Sequence, residues 1–184
     1  MIIRLHDCPP QPWKNGLGST REIAVQPSTD GSSDFLWRVS IAEVDSAAPF
    51  SRFPGIDRQI VLLDGGGFTM TLDDSRTHAL TTPFAPFAFA GEATVAVTLV
   101  DGPTRDFNLM VRRAQTRGEV QVWQEPGEQL PDPSIVLIYC ARGAIDTVEG
   151  RLQAGDAWRP SPASAVTLHD GALALAVGIE PHAS

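Results

Sequence analysis

Apolar and polar positions alternate with a period of two through most of the chain, and no stretch sustains a helical period for three turns. From Phe35 to Ala42, the side chains of Phe35, Trp37, Val39 and Ile41 share one face; Leu36, Arg38, Ser40 and Ala42 share the other. Val95, Val97 and Leu99 alternate likewise against Thr94, Ala96 and Thr98, and Leu173, Leu175, Val177 and Ile179 form a last apolar face. Ile135 to Tyr139 is continuously apolar, as expected of a strand buried on both sides. Ile60 to Leu63, then Asp64-Gly65-Gly66-Gly67, then Phe68 to Leu72 predict a β-hairpin closed by a glycine turn. Asp106 to Arg113 fits either two helical turns or a strand. The pattern predicts a mainly β protein, folded as a barrel or sandwich so that its sheet edges are covered.

The 16 glycines and 15 prolines punctuate these runs, as many strands joined by many turns require. A weak repeat is visible. Ile60 to Gly65 and Leu137 to Gly143 are both apolar strands that reach a glycine turn, and the second continues through Ala154-Gly155-Asp156 to Pro160 and Pro162. That is the rhythm of a cupin-type jelly roll. It predicts one bicupin-like domain over residues 1–184, with a first half at 1–124, a connector at 125–133 and a second half at 134–184.

At 184 residues the chain buries enough surface to fold without disulfides or metal. A net charge of -8 argues against nucleic acid, which needs a basic face. No apolar run is long enough to span a membrane, and no secretory signal is visible at the start. Cys8 and Cys140 form no metal knuckle and read as free thiols of a reducing cytoplasm. Of the 14 basic residues only Lys14 is lysine, and arginine is the side chain that forks around a carboxylate.

His6, His78, His169 and His182 show no ligand spacing and read as solvated surface histidines; no nucleophile elbow or phosphate loop is complete. Three polar clusters remain. Pro12 to Ala24 sets an aromatic, two cations, an amide, hydroxyls and a carboxylate among glycines, the groups that bind a small polar ligand. Ala48 to Arg58 stiffens a loop before a strand that turns Arg58 to the side of Ile60 and Leu62, where a cation needs Asp57, another acid or a ligand anion. Asp106 and Asn108 share a face if extended, as Arg38 and Ser40 do, so strand polar groups point to an arginine-lined interior.

These clusters resemble the HutD/Ves family, proteins associated with bacterial histidine utilisation. The resemblance rests on PWKNGLGSTREIA at 12–24, FLWRVSIAEV at 35–44, PFSRFPGIDRQIVLLDG at 49–65 and DFNLMVRR at 106–113. It implies a cupin-like fold of two stacked barrel halves without metal-binding histidines, and an accessory or regulatory part in histidine breakdown. The implied ligand is a small carboxylate such as urocanate or a formylated glutamate. The motifs carry over Trp13, Asn15, Thr20, Arg21, Glu22, Ser51, Arg52, Asp57, Arg58, Asp106 and Asn108, and Arg38 and Ser40 join them on strand geometry. No cofactor is expected. The expected partners are the small carboxylate and, in a homodimer, a second copy of the chain, with no nucleic acid and no membrane. The alternative is a metal-independent isomerase or hydrolase of a pathway intermediate, with Glu22, Asp57 or Asp106 as general base.

Overall fold

The alternating segments are strands in the computed structural model, which describes residues 1–28 and 35–182. The described residues gather into two units, Pro9–Arg117 and a second formed by Met1–Cys8 with the chain from Gly118 onward. The proline-rich segment 125–133 lies inside the second unit and carries the short strand Gly127–Gln129. Among the described residues no helix is long and apolar enough to cross a membrane.

In the first unit a six-stranded antiparallel sheet runs in the order Gln11–Pro12, Gly18–Pro27, Phe35–Val44, Thr104–Arg112, Ile56–Asp64, Phe87–Ala90. A second sheet sets Phe68–Leu72 between Arg76–Leu80 and Val95–Leu99. Their inward residues, among them Val44, Ile60, Leu62, Phe68, Met70, Leu72 and Val95, make one apolar cluster. The second unit repeats the plan. Ile135–Arg142 pairs with Ala157–Trp158 and Leu173–Pro181, while Ala144–Thr147 sits between Gly150–Gln153 and Val166–Leu168. Its core gathers around Trp158, Ile138, Ile145, Leu152 and Leu168. The architecture is mainly β and cupin-like.

Two readings of the sequence change here. The segment left open between helix and strand is the strand Thr104–Arg112, central in its sheet and buried on both faces. The hairpin expected at Gly65-Gly66-Gly67 is absent: Ile56–Asp64 and Phe68–Leu72 lie in different sheets. The glycines instead turn the chain from one sheet to the other. Gly65 and Gly67 adopt φ of +90° and +78°, and a Cβ at Gly67 would strike the Leu80 carbonyl. The Gly67 N–H donates to Thr104 Oγ1 at 3.1 Å, fixing the corner. Gly143, at φ +74°, makes the same crossing from Ile135–Arg142 to Ala144–Thr147, so the repeat seen in sequence is a repeat of topology.

Candidate functional site

The first unit holds a cavity of about 530 Å³, within the roughly 300–1,000 Å³ usual for small-molecule sites. Strand register builds its floor. Thr20, Ala42, Asp106 and Leu62 lie in one cross-strand row, and Ser40, Asn108 and Ile60 in the next. Arg38, Met110, Arg58 and Phe89 form the row after that. Alternation turns these rows to one face, so two arginines, an acid, an amide and two hydroxyls converge where core residues would otherwise meet.

Arg58 is the central group, with only 6% of its surface exposed. Its guanidinium lies over the rings of Phe89, Phe50 and Phe53, at 4.8, 5.5 and 5.6 Å from their centres. One terminal nitrogen donates to Asn108 Oδ1 at 2.9 Å, while Nε has no hydrogen-bond partner. Burial pulls its pKa down to about 10, against the opposing pull of Asp106, so the group stays charged at neutral pH. Asp106 is wholly buried. Its Oδ1 accepts from Asn108 Nδ2, and its Oδ2 has no partner. Burial pushes its carboxyl up to about 7, with Arg58 and then Asn108 resisting. Arg38 Nε stands 3.0 Å from Glu22 Oε2, an ion pair without an aligned hydrogen bond.

Loops close the cavity from outside. Trp13 donates its indole N–H to Thr20 Oγ1 at 2.8 Å and packs against Gly18. Asn15 Oδ1 takes the Leu17 N–H at 3.0 Å, so this side chain lines the cavity while bracing its own turn. The loop bearing Phe50 and Phe53 is tied down by Phe50 N–H to the Val95 carbonyl and Phe53 N–H to the Gly91 carbonyl, at 3.0 and 2.7 Å. Arg113 locks the far side, binding Glu92 through two nitrogens at 2.8 and 3.0 Å and Asp57 at 2.6 Å.

Nine of the thirteen sequence-predicted site residues line this cavity: Trp13, Asn15, Thr20, Arg38, Ser40, Ser51, Arg58, Asp106 and Asn108. Four do not. Arg21 lies 4.0 Å from Glu43, and Glu22 sits beside Arg38 without lining the space. Arg52 donates to the Glu92 carbonyl at 2.8 Å. Asp57, one of the three partners open to Arg58 in the sequence, pairs with Arg113 instead, because neighbours on a strand face opposite ways. Phe89 and Met110 were not anticipated; the alternation Phe87-Ala88-Phe89-Ala90 was the available signal for the first. Among the described residues no three His, Cys, Asp or Glu side chains gather as a metal site would require.

The sequence model of the HutD family matches residues 5–175. The chain belongs to the HutD family. It is 36% identical over 145 residues to an uncharacterised 21.2 kDa protein of the hutC 3′ region of Pseudomonas putida, spanning 79% of this chain and 75% of that one. It is also 36% identical over 145 residues to Protein Ves of Citrobacter koseri, spanning 78% and 70%. The solved HutD of Pseudomonas fluorescens SBW25 superposes with a TM-score of 0.86 at 29% identity, covering 100% of this chain and 99% of that one. The caged arginine, Asp106 and Asn108 all fall within the HutD match.

Proposed function

We propose that this HutD-family protein binds a small carboxylate in the cavity without a metal, and serves histidine catabolism as an accessory or regulatory protein. Urocanate and formylglutamate are the ligand types that suit it. The observation that carries the reading is Arg58: a buried cation, stacked against three phenylalanines, with a guanidinium nitrogen that no protein group satisfies. Removing a charge from water is costly unless it is paired, and the internal pairing here is only indirect, through Asn108. A carboxylate accepting a fork from Arg58, with Arg38 in the same cross-strand row beyond Met110, completes that pairing. The Pseudomonas putida relative is described by its place beside hutC, and the Pseudomonas fluorescens HutD structure comes from a formate condition, formate being the smallest carboxylate.

Calorimetric titration of urocanate, formylglutamate and formate into wild type and Arg58→Ala tests the proposal. At least one should bind wild type in the micromolar range and lose on the order of a hundredfold with Arg58→Ala, the worth of a buried charge-assisted pair. Equal binding by both proteins, or none by wild type, overturns it.

Asp106 supports a second reading, a metal-independent isomerase or hydrolase. A buried carboxyl titrating near 7 beside a guanidinium is suited to move a proton while the cation steadies a developing oxyanion. Glu22 and Asp57 stand outside the cavity, so Asp106 is the general base of that reading. Turnover of a pathway intermediate by chelator-treated protein, lost in Asp106→Asn, would establish it; inactivity across the three probes would favour binding alone.

A further inference from the structure

Asp106 is the single acid among the described residues lining the cavity, and its two oxygens stand differently. Oδ1 is held by Asn108, which is held in turn by Arg58; Oδ2 has no partner. The Asp106 charge is therefore balanced by Arg58 at one remove, across a neutral amide. The groups facing this relay are few. Arg58 comes from Ile56–Asp64, Arg38 from Phe35–Val44, and Lys14 from the Trp13 loop. Glu22, on Gly18–Pro27, is already answered by Arg38. The Phe50–Phe53 loop and the Phe87–Ala90 strand bring only Phe50, Ser51, Phe53 and Phe89 against it.

A ligand carboxylate seated on Arg58 takes over the cation that balances Asp106. Two negative charges would then share one buried guanidinium, and one of them has a bare oxygen. We propose that the anion enters together with a proton: as the ligand carboxylate settles on Arg58, Asp106 Oδ2 takes one proton from solvent, so the cavity binds a carboxylate and a proton as a unit. This rests on the carboxylate reading above. The balance is simple: ligand anion, Asp106 carboxylate and one proton become ligand anion and neutral Asp106, with no other bond made or broken. Burial already holds the carboxyl at about 7 against the pull of Arg58; a like charge beside it raises it by about one to two further units.

The test is calorimetric titration of urocanate and of formate into the full chain at about pH 8, in two buffers of different ionisation enthalpy, where the side chain is mostly ionised before binding. The expected result is uptake of about 0.4–0.8 proton per bound anion, with affinity falling by up to about tenfold per pH unit above 7. Asp106→Asn, which mimics the protonated acid, should abolish uptake and pH dependence, and tighten binding at about pH 8 by on the order of tenfold. Infrared difference spectra of wild type should gain a protonated-carboxyl band on anion addition, a readout independent of any variant's folding. Binding to wild type with identical heats in both buffers, or uptake that persists in Asp106→Asn, overturns proton coupling and leaves the carboxylate reading standing. Failure of urocanate, formate and formylglutamate alike to bind wild type overturns the carboxylate reading and the coupling with it.

Discussion

Replacing Arg58 with methionine separates a cation kept for a ligand from one kept for the fold. The substitution removes one buried hydrogen bond to Asn108, worth about 1.5–3 kcal/mol for a charged donor. It also removes three ring contacts of about 0.5–2 kcal/mol each. Against this, the desolvation of a buried guanidinium, several kcal/mol, disappears. The methionine sulfur keeps contact with the same rings, at about 0.3–1.5 kcal/mol each. The remaining hazard is Asp106, left without its cation. Its carboxyl already stands near 7, and losing Arg58 raises it further, so at about pH 6 it is neutral and no charge is stranded. Stability at about pH 6 should therefore change by less than about 2 kcal/mol. Above 7 the variant must hold Asp106 protonated while wild type does not, so its deficit should grow by about 1.4 kcal/mol per pH unit, reaching about 3 kcal/mol near pH 9. Urea denaturation of both proteins at the two pH values measures this, and the same variant should lose carboxylate binding. A loss above about 4 kcal/mol at pH 6 would refute the reasoning and make Arg58 a structural brace.

Asp106 also sets a pH slope. Its folded pKa of about 7 lies above the ordinary aspartate value of 3.8, so the folded state binds more protons between these values. Its contribution to stability then falls as pH rises from about 4 to 7, by about 4 kcal/mol in all, and Asp106→Asn should remove that slope in urea titrations. Glu92 and Asp146, held down to about 2 by Arg113 and Arg151, act in a different window, losing their contributions as pH falls from about 4.5 toward 2. Arg113→Ala frees Glu92 and Asp57 and so loosens the loop that lays Phe50 and Phe53 over Arg58. Amide exchange across 50–56 should quicken, and carboxylate affinity should fall by about three- to tenfold, one ring contact's worth. In the second unit, Asp156 takes the Leu5 and Gln153 N–H groups and the Arg4 guanidinium, at 3.2, 3.0 and 2.6 Å. Asp156→Ala should cost about 2–4 kcal/mol by urea denaturation and leave the cavity's ligand affinity unchanged.

The polar face of the cavity was legible because strand alternation is local. Arg58 had to point with Ile60 and Leu62, and Asp106 with Asn108, once each segment was extended. The same rule placed Asp57 on the opposite side from Arg58, yet adjacency in sequence suggested a pair; the true partner, Arg113, comes from 56 residues away. The glycine corner failed for a related reason. A glycine run marks a turn but not which sheet follows, and what decides it are distant groups, the Leu80 carbonyl and Thr104 Oγ1. Nothing local in the sequence marks the role of Phe89, because that role depends on pairing with Arg58 across strands. Family membership was readable from the motifs at 12–24 and 49–65, and it lies within the matched residues 5–175.

A crystal structure grown with urocanate tests the central claim most directly. Density is expected for a carboxylate within hydrogen-bond distance of the Arg58 guanidinium, beneath Phe50 and Phe53, with Arg38 on its flank. Urocanate bound elsewhere, or a cavity holding only water while Arg58 keeps its Asn108 partner, would contradict it.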